Sequence, residues 1–325
     1  MSIHTVRKEQ CHLAWDHSIP PILRVNSGET VTFDCLDASN GQITASSTVD
    51  AIKNLVFSQL DQVNGPIYVE GAQPGDTLQI DVLSVKPADW GWTASIPGFG
   101  LLADEFPEPA LKIWKLEALD ELQSGGAFAW FDEAKSMRIP LRPFCGEMGV
   151  APGKPGAFST IPPYATGGNI DTKHLSARST LYLPVEVEGA LFSIGDGHAA
   201  QGDGEVCGTA IETPMTVSVR LTVRKDRPYT TTPHFTTIAT SSEEFYTTTG
   251  VGPDLREAAR SAVRNMIEFL GTARDLSRID AYLLCSVAGD LRLHEVVDMP
   301  NYVVGMMMPK SVLGTAENRA TYRFL

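Results

Sequence analysis

Short runs of alternating apolar and polar residues dominate the first 250 positions of the chain. Residues 77–82 and 215–223 alternate regularly and are rich in threonine and valine, which is typical of strands with one buried face. Residues 22–25 and 30–35 predict two further strands around a turn at Ser27 and Gly28. The pattern predicts a mainly β fold in which residues 1–250 form a β-sandwich-like or barrel-like body.

The periodicity changes after residue 250. Apolar residues spaced three and four apart predict a helix that begins at residues 253–255 and ends at Gly271. A second helix is expected to begin at Ser277, which forms a capping box with Asp280, and to end at Gly289. We expect residues 251–325 to form a smaller C-terminal α+β element that packs on the β body.

Residues 191–211 are the segment around which the rest of the chain is organised. Two apolar arms, residues 191–194 and 206–211, flank an eleven-residue loop with four glycines. Glycine permits positive φ angles and close approach of other backbone. Four potential metal or proton ligands lie in this loop: Asp196, His198, Asp203 and Glu205.

The spacing of these four residues predicts a compact site. In extended backbone, residues two apart project to the same side, so Asp196 pairs with His198, and Asp203 pairs with Glu205. Gly-Asp-Gly is also ordinary turn chemistry. However, a solvated hairpin rarely needs eleven residues, and this favours a functional site. One nitrogen and several oxygens suit zinc, manganese, iron or, less well, calcium.

A second polar segment follows paired glycines at 167 and 168. Asn169 and Asp171 are again two residues apart, and Lys173 continues the same phase. A surface turn would explain this segment, but we favour a contribution to the same metal site. Asp37, which lies at a strand end before an Asn-Gly turn, is better explained as a structural turn residue.

Two other features allow alternative interpretations. Residues 89–108 form an aromatic segment rich in glycine and proline, and we expect a long loop that gates the substrate or contacts another subunit. Cys145 is a candidate nucleophile, but no histidine lies nearby in the sequence to activate it. A buried, inert cysteine is the preferred interpretation.

Composition and charge narrow the function classes. The net charge of −13 over 325 residues, without clusters of lysine and arginine, argues against nucleic acid and anionic membrane surfaces as partners. The first residues lack the apolar region of a secretory signal, and no apolar run reaches membrane-spanning length. Five scattered cysteines are typical of a reduced compartment, so we expect a cytoplasmic protein.

Two similar segments indicate an internal duplication of the β body. Residues 69–72 followed by Gly75 and Asp76 resemble residues 187–190 followed by Gly195 and Asp196. Two copies of one strand-turn-strand unit would leave this trace in the sequence.

Three segments together resemble the acetamidase/formamidase family: residues 64–76, 168–171 and 195–205. The resemblance covers most of the chain, including residues 283–298. It implies a mostly β fold with a smaller α+β element and hydrolysis of short-chain amides, such as formamide or acetamide, to carboxylate and ammonia. It also implies a homo-oligomer and a bound divalent metal.

A mechanistic hypothesis combines the residues with this resemblance. Asp171, Asp196, His198 and Glu205 are the expected metal ligands, with zinc the best-suited ion and calcium or manganese as alternatives. The metal would polarise the amide carbonyl and activate a water. Asp203 or Glu205, whichever does not bind the metal, would be the general base, and Asn169 or a loop backbone N–H would stabilise the oxyanion.

Two other functions remain open at this point. One is a β-sandwich metal-binding protein whose acidic loop holds a structural calcium and which turns over no amide. The other is an amidase that depends on Cys145. A serine amidase is disfavoured because the chain lacks a GxSxG motif.

Overall fold

The computed structural model describes residues 3–117, 126–237 and 244–313. In chain order, the strands are β1 (Ile3–Val6), β2 (Cys11–His12), β3 (Ala14–Trp15), β4 (Leu23–Val25), β5 (Glu29–Cys35), β6 (Val63–Val69), β7 (Thr77–Pro87), β8 (Trp90–Ser95), β9 (Ala110–Glu117), β10 (Phe128–Asp132), β11 (Met137–Pro140), β12 (Phe144–Val150), β13 (Phe158–Ser159), β14 (Pro163–Tyr164), β15 (Gly167–Asn169), β16 (Thr180–Pro184), β17 (Phe192–Ala200), β18 (Ile211–Glu212), β19 (Met215–Arg224), β20 (His234–Thr236), β21 (Phe245–Gly252), β22 (Asp290–Glu295) and β23 (Tyr302–Pro309). The helices are α1 (Asp50–Lys53), α2 (Leu255–Arg274) and α3 (Arg278–Ala288), with a short 3₁₀ helix at Phe57–Gln59.

Two large sheets contain nearly all of these strands. The nine-stranded sheet has the order β1-β5-β19-β7-β16-β20-β21-β23-β22. The twelve-stranded sheet has the order β11-β10-β9-β8-β18-β17-β12-β15-β14, and β6 joins β17 to β2 and β4. Strands β3 and β13 form a separate pair. The predicted mainly β fold is therefore confirmed.

The main hydrophobic core lies where the two sheets face each other. The nine-stranded sheet contributes Phe33 and Val219, and the twelve-stranded sheet contributes Phe192 and Met148. The rings of Phe33 and Phe192 meet edge to face at 6.1 Å between centroids. Complete burial of each such side chain contributes about 1.5–3 kcal/mol, so contact between the sheets is a major source of stability. Every residue of β17 is buried, which places this strand at the centre of the fold.

Both predicted C-terminal helices are present. The side chain of Ser277 accepts a hydrogen bond from the N–H of Asp280, as the capping box predicts. Helix α2 continues beyond the expected end at Gly271. It ends at Arg274, because the next residue, Asp275, adopts the left-handed conformation. No helix among the described residues is both long enough and apolar enough to cross a bilayer.

The C-terminal strands extend the nine-stranded sheet. Strand β21 pairs with β20 on one side and with β23 on the other. Helices α2 and α3 pack on these strands around a second core that includes Met266, Leu270 and Val304. The α+β element is thus joined to the β body through a continuous sheet, and the boundary at residue 251 stays a prediction.

The predicted loop at residues 195–205 is partly a strand. Strand β17 continues through Asp196 and His198 because β12 pairs with it along this stretch, with Phe144 opposite His198. The expected second arm at residues 206–211 is wrong except at its end. Val206 is 58% exposed, and only Ile211 is part of a strand. Glycine has a low strand propensity, so the extended backbone of the glycines in β17 depends on pairing with the neighbouring strand β12.

Other local predictions need smaller corrections. Residues 90–95 form strand β8, which pairs with β9, so the irregular loop begins only after it. Strands β4 and β5 exist as predicted but belong to different sheets. The similar segments around residues 69–72 and 187–190 contact each other, since the N–H of Val69 donates to the carbonyl of Gly189.

Candidate active site

Strand β17 presents Asp196 and His198 on one face, as the spacing of two predicts. His198 Nε2 lies 2.9 Å from Asp196 Oδ2 and 3.0 Å from Glu212 Oε2. His198 Nδ1 lies 2.9 Å from the side-chain oxygen of Gln201. The amide nitrogen of Gln201 donates to the carbonyl of Asp171, which leaves its oxygen as an acceptor for His198. Gln201 therefore orients the ring so that Nε2 faces the carboxylates.

Two other segments complete this arrangement. Asp171 Oδ1 lies 3.6 Å from His198 Nδ1, and Glu205 Oε1 lies 4.0 Å from His198 Nε2. Gly204, next to Glu205, donates its N–H to the carbonyl of His294 in β22. The C-terminal element thus holds the loop that carries Glu205.

The backbone at the site adopts an uncommon conformation. Four of its acidic residues have positive φ angles: Asp61 at 54°, Asp171 at 35°, Asp196 at 53° and Glu205 at 46°. Residues other than glycine rarely adopt this conformation, which costs of order 1–3 kcal/mol each. Such conformations cluster at functional sites, where the surrounding fold holds a side chain in position.

The carboxylates line a small, partly open cavity of about 40 Å³. We refer to it as the acidic cavity. Its polar wall contains Asn169 and the charged side chains Asp61, Asp171, Asp196, His198, Glu205, Glu212 and Asp298. Its apolar wall includes Ala38, Leu55, Leu60, Trp92, Ile96 and Phe99. The volume accommodates only a few water-sized groups, so a ligand inside it must be small.

Burial and mutual repulsion perturb the acids of the cavity. Burial, followed by the charges of neighbouring acids, raises the pKa of Asp171 and of Glu205 well above their usual range. Burial also raises the pKa of Glu212 to about 8. Burial by itself would lower the pKa of His198, but Asp196 and Glu212 outweigh it and raise that pKa well above its ordinary value. The cavity therefore favours a bound cation over closely spaced negative charges.

Among the residues that the structure describes, His198 belongs to two groups of potential metal ligands. One group contains Asp171 and Glu205, and the other contains Asp196 and Glu212; within each group the ligand atoms lie within 4.8 Å of one another. Both side-chain oxygens of Asp171 and one of Asp196 are buried without a hydrogen-bond partner in the described residues. Buried polar atoms normally have partners, so these oxygens are available to a ligand.

Gly146 in β12 forms the floor below these side chains. A Cβ atom at this position would lie 2.1 Å from Asp196 Oδ2 and 2.2 Å from Asp171 Oδ1. The close approach of two carboxylates to one backbone position therefore requires glycine.

Asp203 lies on the other side of its loop, away from the acidic cavity. Lys173 Nζ lies 3.1 Å from Asp203 Oδ1, and Arg292 donates to Asp203 Oδ2 at 3.2 Å. Burial opposes ionisation of Asp203, but His174 and Lys173 outweigh it and lower its pKa below the usual range. The expected pairing of Asp203 with Glu205 on one side is wrong, because the chain leaves the extended conformation after β17.

The structure also places the other candidates. Asn169 lines the cavity, and its amide nitrogen donates to Asp298 Oδ2 at 2.9 Å. Cys145 lies in the main core, where burial raises the pKa of its thiol to about 12. A thiol in that environment is a poor nucleophile at neutral pH, which agrees with an inert cysteine. Asp37 accepts hydrogen bonds from Ser39 and from the indole of Trp92, and so acts as a structural residue behind the cavity wall.

Sequence reasoning missed three acidic residues of the acidic cavity, Asp61, Glu212 and Asp298, and considered the nearby Glu147 only as a helper of Cys145. Glu147 is fully buried in β12, and neither of its carboxylate oxygens has a hydrogen-bond partner among the described residues. The feature that could have identified Glu147 from the sequence is its position as an acidic residue within an otherwise apolar strand. No comparable signal marks Asp61, which follows a 3₁₀ helix far from the central segment.

Together, the fold and the cavity define a mainly β enzyme with a buried, acidic, histidine-containing active site. The chain belongs to the acetamidase/formamidase family, whose family model matches residues 2–157 and 153–315. Two successive matches are what the indicated internal duplication predicts.

Individual relatives are similar over much of the chain. A formamidase of Methylophilus methylotrophus is 28% identical over 93% of this chain and 89% of its own length. An acetamidase of Mycolicibacterium smegmatis is 29% identical over 62% of this chain. The chain spans 64% and 63% of the length of two of its curated relatives. The crystal structure of an acetamidase from Bacillus halodurans is 31% identical and covers 96% of this chain and 100% of its own, with a TM-score of 0.85.

Proposed function

We propose that the chain hydrolyses the C–N bond of a short-chain amide and releases a carboxylate and ammonia. The similarity to formamidases and acetamidases supports the reaction type. The observation that carries the substrate size is the small cavity of about 40 Å³ beside His198 and the carboxylates. A cavity this small favours a formamide-sized or acetamide-sized molecule over a peptide.

A divalent metal is part of this proposal. Asp171, Asp196 and His198 are the proposed ligands, and Glu212 joins them because it shares the Nε2 side of His198, which leaves Glu205 for proton transfer. The unpartnered carboxylate oxygens and the raised pKa values of the acids support a bound cation. One imidazole with several carboxylates suits zinc best, with manganese or calcium as alternatives. When bound, such an ion polarises a carbonyl and makes a coordinated water more acidic.

The protein groups have separate roles in the reaction. Gln201 holds His198 in the tautomer that leaves Nε2 facing the carboxylates. Glu205 is the proposed general base, since Asp203 is committed to Lys173 and Arg292 outside the cavity. The positive charge of a bound cation would favour the ionised form of Glu205, which takes a proton from water and later passes it to the departing nitrogen. Asn169 has one amide N–H engaged with Asp298, and its second N–H is the proposed oxyanion donor.

The apolar wall supplies the preference for a short acyl group. Trp92 is 2% exposed, and its indole N–H is fixed by Asp37 at 3.0 Å. Leu60, Ile96 and Phe99 line the same side of the cavity. These side chains limit the length of the acyl group and exclude bulk water from the reacting bond.

Removal of the metal tests this proposal. We expect ammonia release from formamide or acetamide to disappear after treatment with a strong chelator and to return when zinc or manganese is added. Asp196→Asn should bind the ion more weakly and require a higher concentration for the same rate. Persistent activity in the metal-free protein would overturn the metal mechanism, and metal binding without turnover of either amide would favour a binding protein.

We also expect the protein to be a cytoplasmic homo-oligomer. Helix α3 carries apolar side chains on its outward face, including Ile279, Leu283 and Val287, which are 62%, 56% and 81% exposed. Contiguous exposed apolar side chains are typical of interaction surfaces. Sedimentation analysis of the purified protein measures the subunit number directly.

A further inference from the structure

An open groove lies on the opposite side of the Glu205 loop from the acidic cavity. It has a volume of about 620 Å³, and we refer to it as the basic groove. Its charged lining consists of Arg142, Lys173, Asp203 and Glu205. Glu205 and Thr209 line both spaces, so only the wall that these residues form separates the groove from the cavity.

The carboxylate of Asp203 in the groove is already paired with two cations. Lys173 occupies Asp203 Oδ1 at 3.1 Å, and Arg292 occupies Asp203 Oδ2 at 3.2 Å. Both carboxylate oxygens of Asp203 therefore already have a cationic partner other than Arg142.

Arg142 is the side chain without a protein partner. Its backbone N–H donates to the carbonyl of Ala199, which fixes the residue beside β17. Its Nε atom is buried without a hydrogen-bond partner, and its guanidinium forms no ion pair within 4.0 Å among the described residues. Burial lowers the pKa of Arg142, and Asp203 only partly offsets this effect. A half-buried guanidinium that lacks a partner is available to an anion.

We propose that the basic groove binds a small carboxylate, the product of the amide hydrolysis proposed above, with Arg142 as its main contact and Lys173 as a second cation. A guanidinium presents two parallel N–H groups that match the two oxygens of a carboxylate. The acidic cavity repels an anionic product, and the groove on the other side of Glu205 attracts it.

Direct binding of acetate tests this site. The purified full-length protein is titrated with sodium acetate and followed by NMR of ¹³C-labelled acetate at constant ionic strength. We expect Arg142→Gln to weaken acetate binding by about tenfold or more, which is the usual effect of losing a charge-assisted hydrogen-bond pair. Arg256→Gln removes an exposed arginine on α2 and serves as the matched control, with unchanged acetate binding.

A second variant and a kinetic measurement complete the test. Arg142→Lys keeps the positive charge but lacks the two parallel N–H groups of the guanidinium. We expect its affinity for acetate to lie between those of the wild type and Arg142→Gln. Acetate should inhibit the wild type with a component that is not competitive with the amide, and Arg142→Gln should lose this component. Unchanged acetate binding in both Arg142 variants, or purely competitive inhibition with the same constant in all proteins, would overturn the proposal.

The design separates this site from the proposed reaction. Acetate binding requires no turnover, so the groove can be supported even when neither amide is hydrolysed. In that case the proposed function fails while the carboxylate site stands. A change in subunit number on Arg142→Gln, measured by sedimentation velocity, would instead identify a carboxylate of a second copy as the partner and overturn the proposal.

Discussion

Asp203 and Glu205 are two residues apart on one loop, and their surroundings are opposite. Glu205 faces the acidic cavity, where burial and then the charge of Asp171 raise its pKa well above the usual range. Asp203 faces the basic groove, where His174 and Lys173 outweigh burial and lower its pKa. The surroundings disfavour the ionised form of Glu205 and favour the ionised form of Asp203.

The difference shows that the environment, not the residue type, assigns a role to each acid. Glu205 can exchange a proton with a substrate because its charged form is destabilised. Asp203 cannot do so easily, since two cations stabilise its charge. Its position supports a structural role, in which it ties the loop to Lys173 and Arg292.

The largest expected effect comes from replacing Glu205 and Asp203, in separate variants, with the corresponding amides. Glu205→Gln should lower kcat/KM for acetamide by about 10²–10⁴-fold, the range for loss of a general base. Asp203→Asn should lower it by less than about tenfold, because it only loosens the loop. Ammonia release measured on both variants tests the comparison. Equal losses in the two proteins would contradict the distinct roles of the acids.

The pH dependence of stability provides a second test, on the basic side of the loop. His294 is fully buried next to His174, and burial lowers its pKa to about 3. The unfolded chain binds a proton near pH 6.5, so stability is lost as the pH falls below that value. Between pH 7 and pH 5 this residue should account for a loss of about 2 kcal/mol.

His294→Asn tests that contribution. Asparagine can keep the hydrogen bond that His294 Nδ1 makes with Thr172 Oγ1 at 3.0 Å. In urea unfolding of metal-free protein at both pH values, the variant should lose about 2 kcal/mol less than the wild type on acidification. An identical loss in both proteins would show that His294 is protonated in the folded state.

The smallest expected effect concerns the anchoring of the loop. Asp203→Asn removes the charge that pairs with Lys173 and Arg292, and we expect a loss of about 1 kcal/mol at pH 7 because Arg292 is partly exposed. Asp226→Asn is a matched control, since Asp226 pairs with Arg224 but is 64% exposed. Urea unfolding of both variants provides the measurement. A loss in Asp203→Asn no larger than in the control would argue against an anchoring role.

Much of the fold follows from periodicity that is visible in the chain. The threonine-rich and valine-rich alternation over residues 215–223 became β19, and the capping box at Ser277 became the start of α3. These elements carry their own local signals. The strand through Asp196 and His198 was harder to predict, because its glycines adopt extended backbone only beside β12.

The candidate site was predictable in part, for the same reason. The spacing of two correctly placed Asp196 and His198 together, because both lie in β17 and pairing with β12 fixes this stretch, although Asp196 itself has a φ of 53°. The same rule was wrong for Asp203 and Glu205, because they lie in the loop after β17 and belong to no strand. Asp61 came to the site from a distant segment without any motif, and Glu212 lies directly after the central segment.

The sequence by itself determined the fold class, the two C-terminal helices, the central segment with its histidine and acids, and the resemblance to an amidase family. These properties depend on local periodicity, capping and motif spacing, which neighbouring residues encode. Only the tertiary structure decided which carboxylates face His198, which acid is paired with cations, and that a basic groove lies behind Glu205. Those outcomes depend on burial and on charges from segments far apart in the chain, and the folded packing alone brings them together.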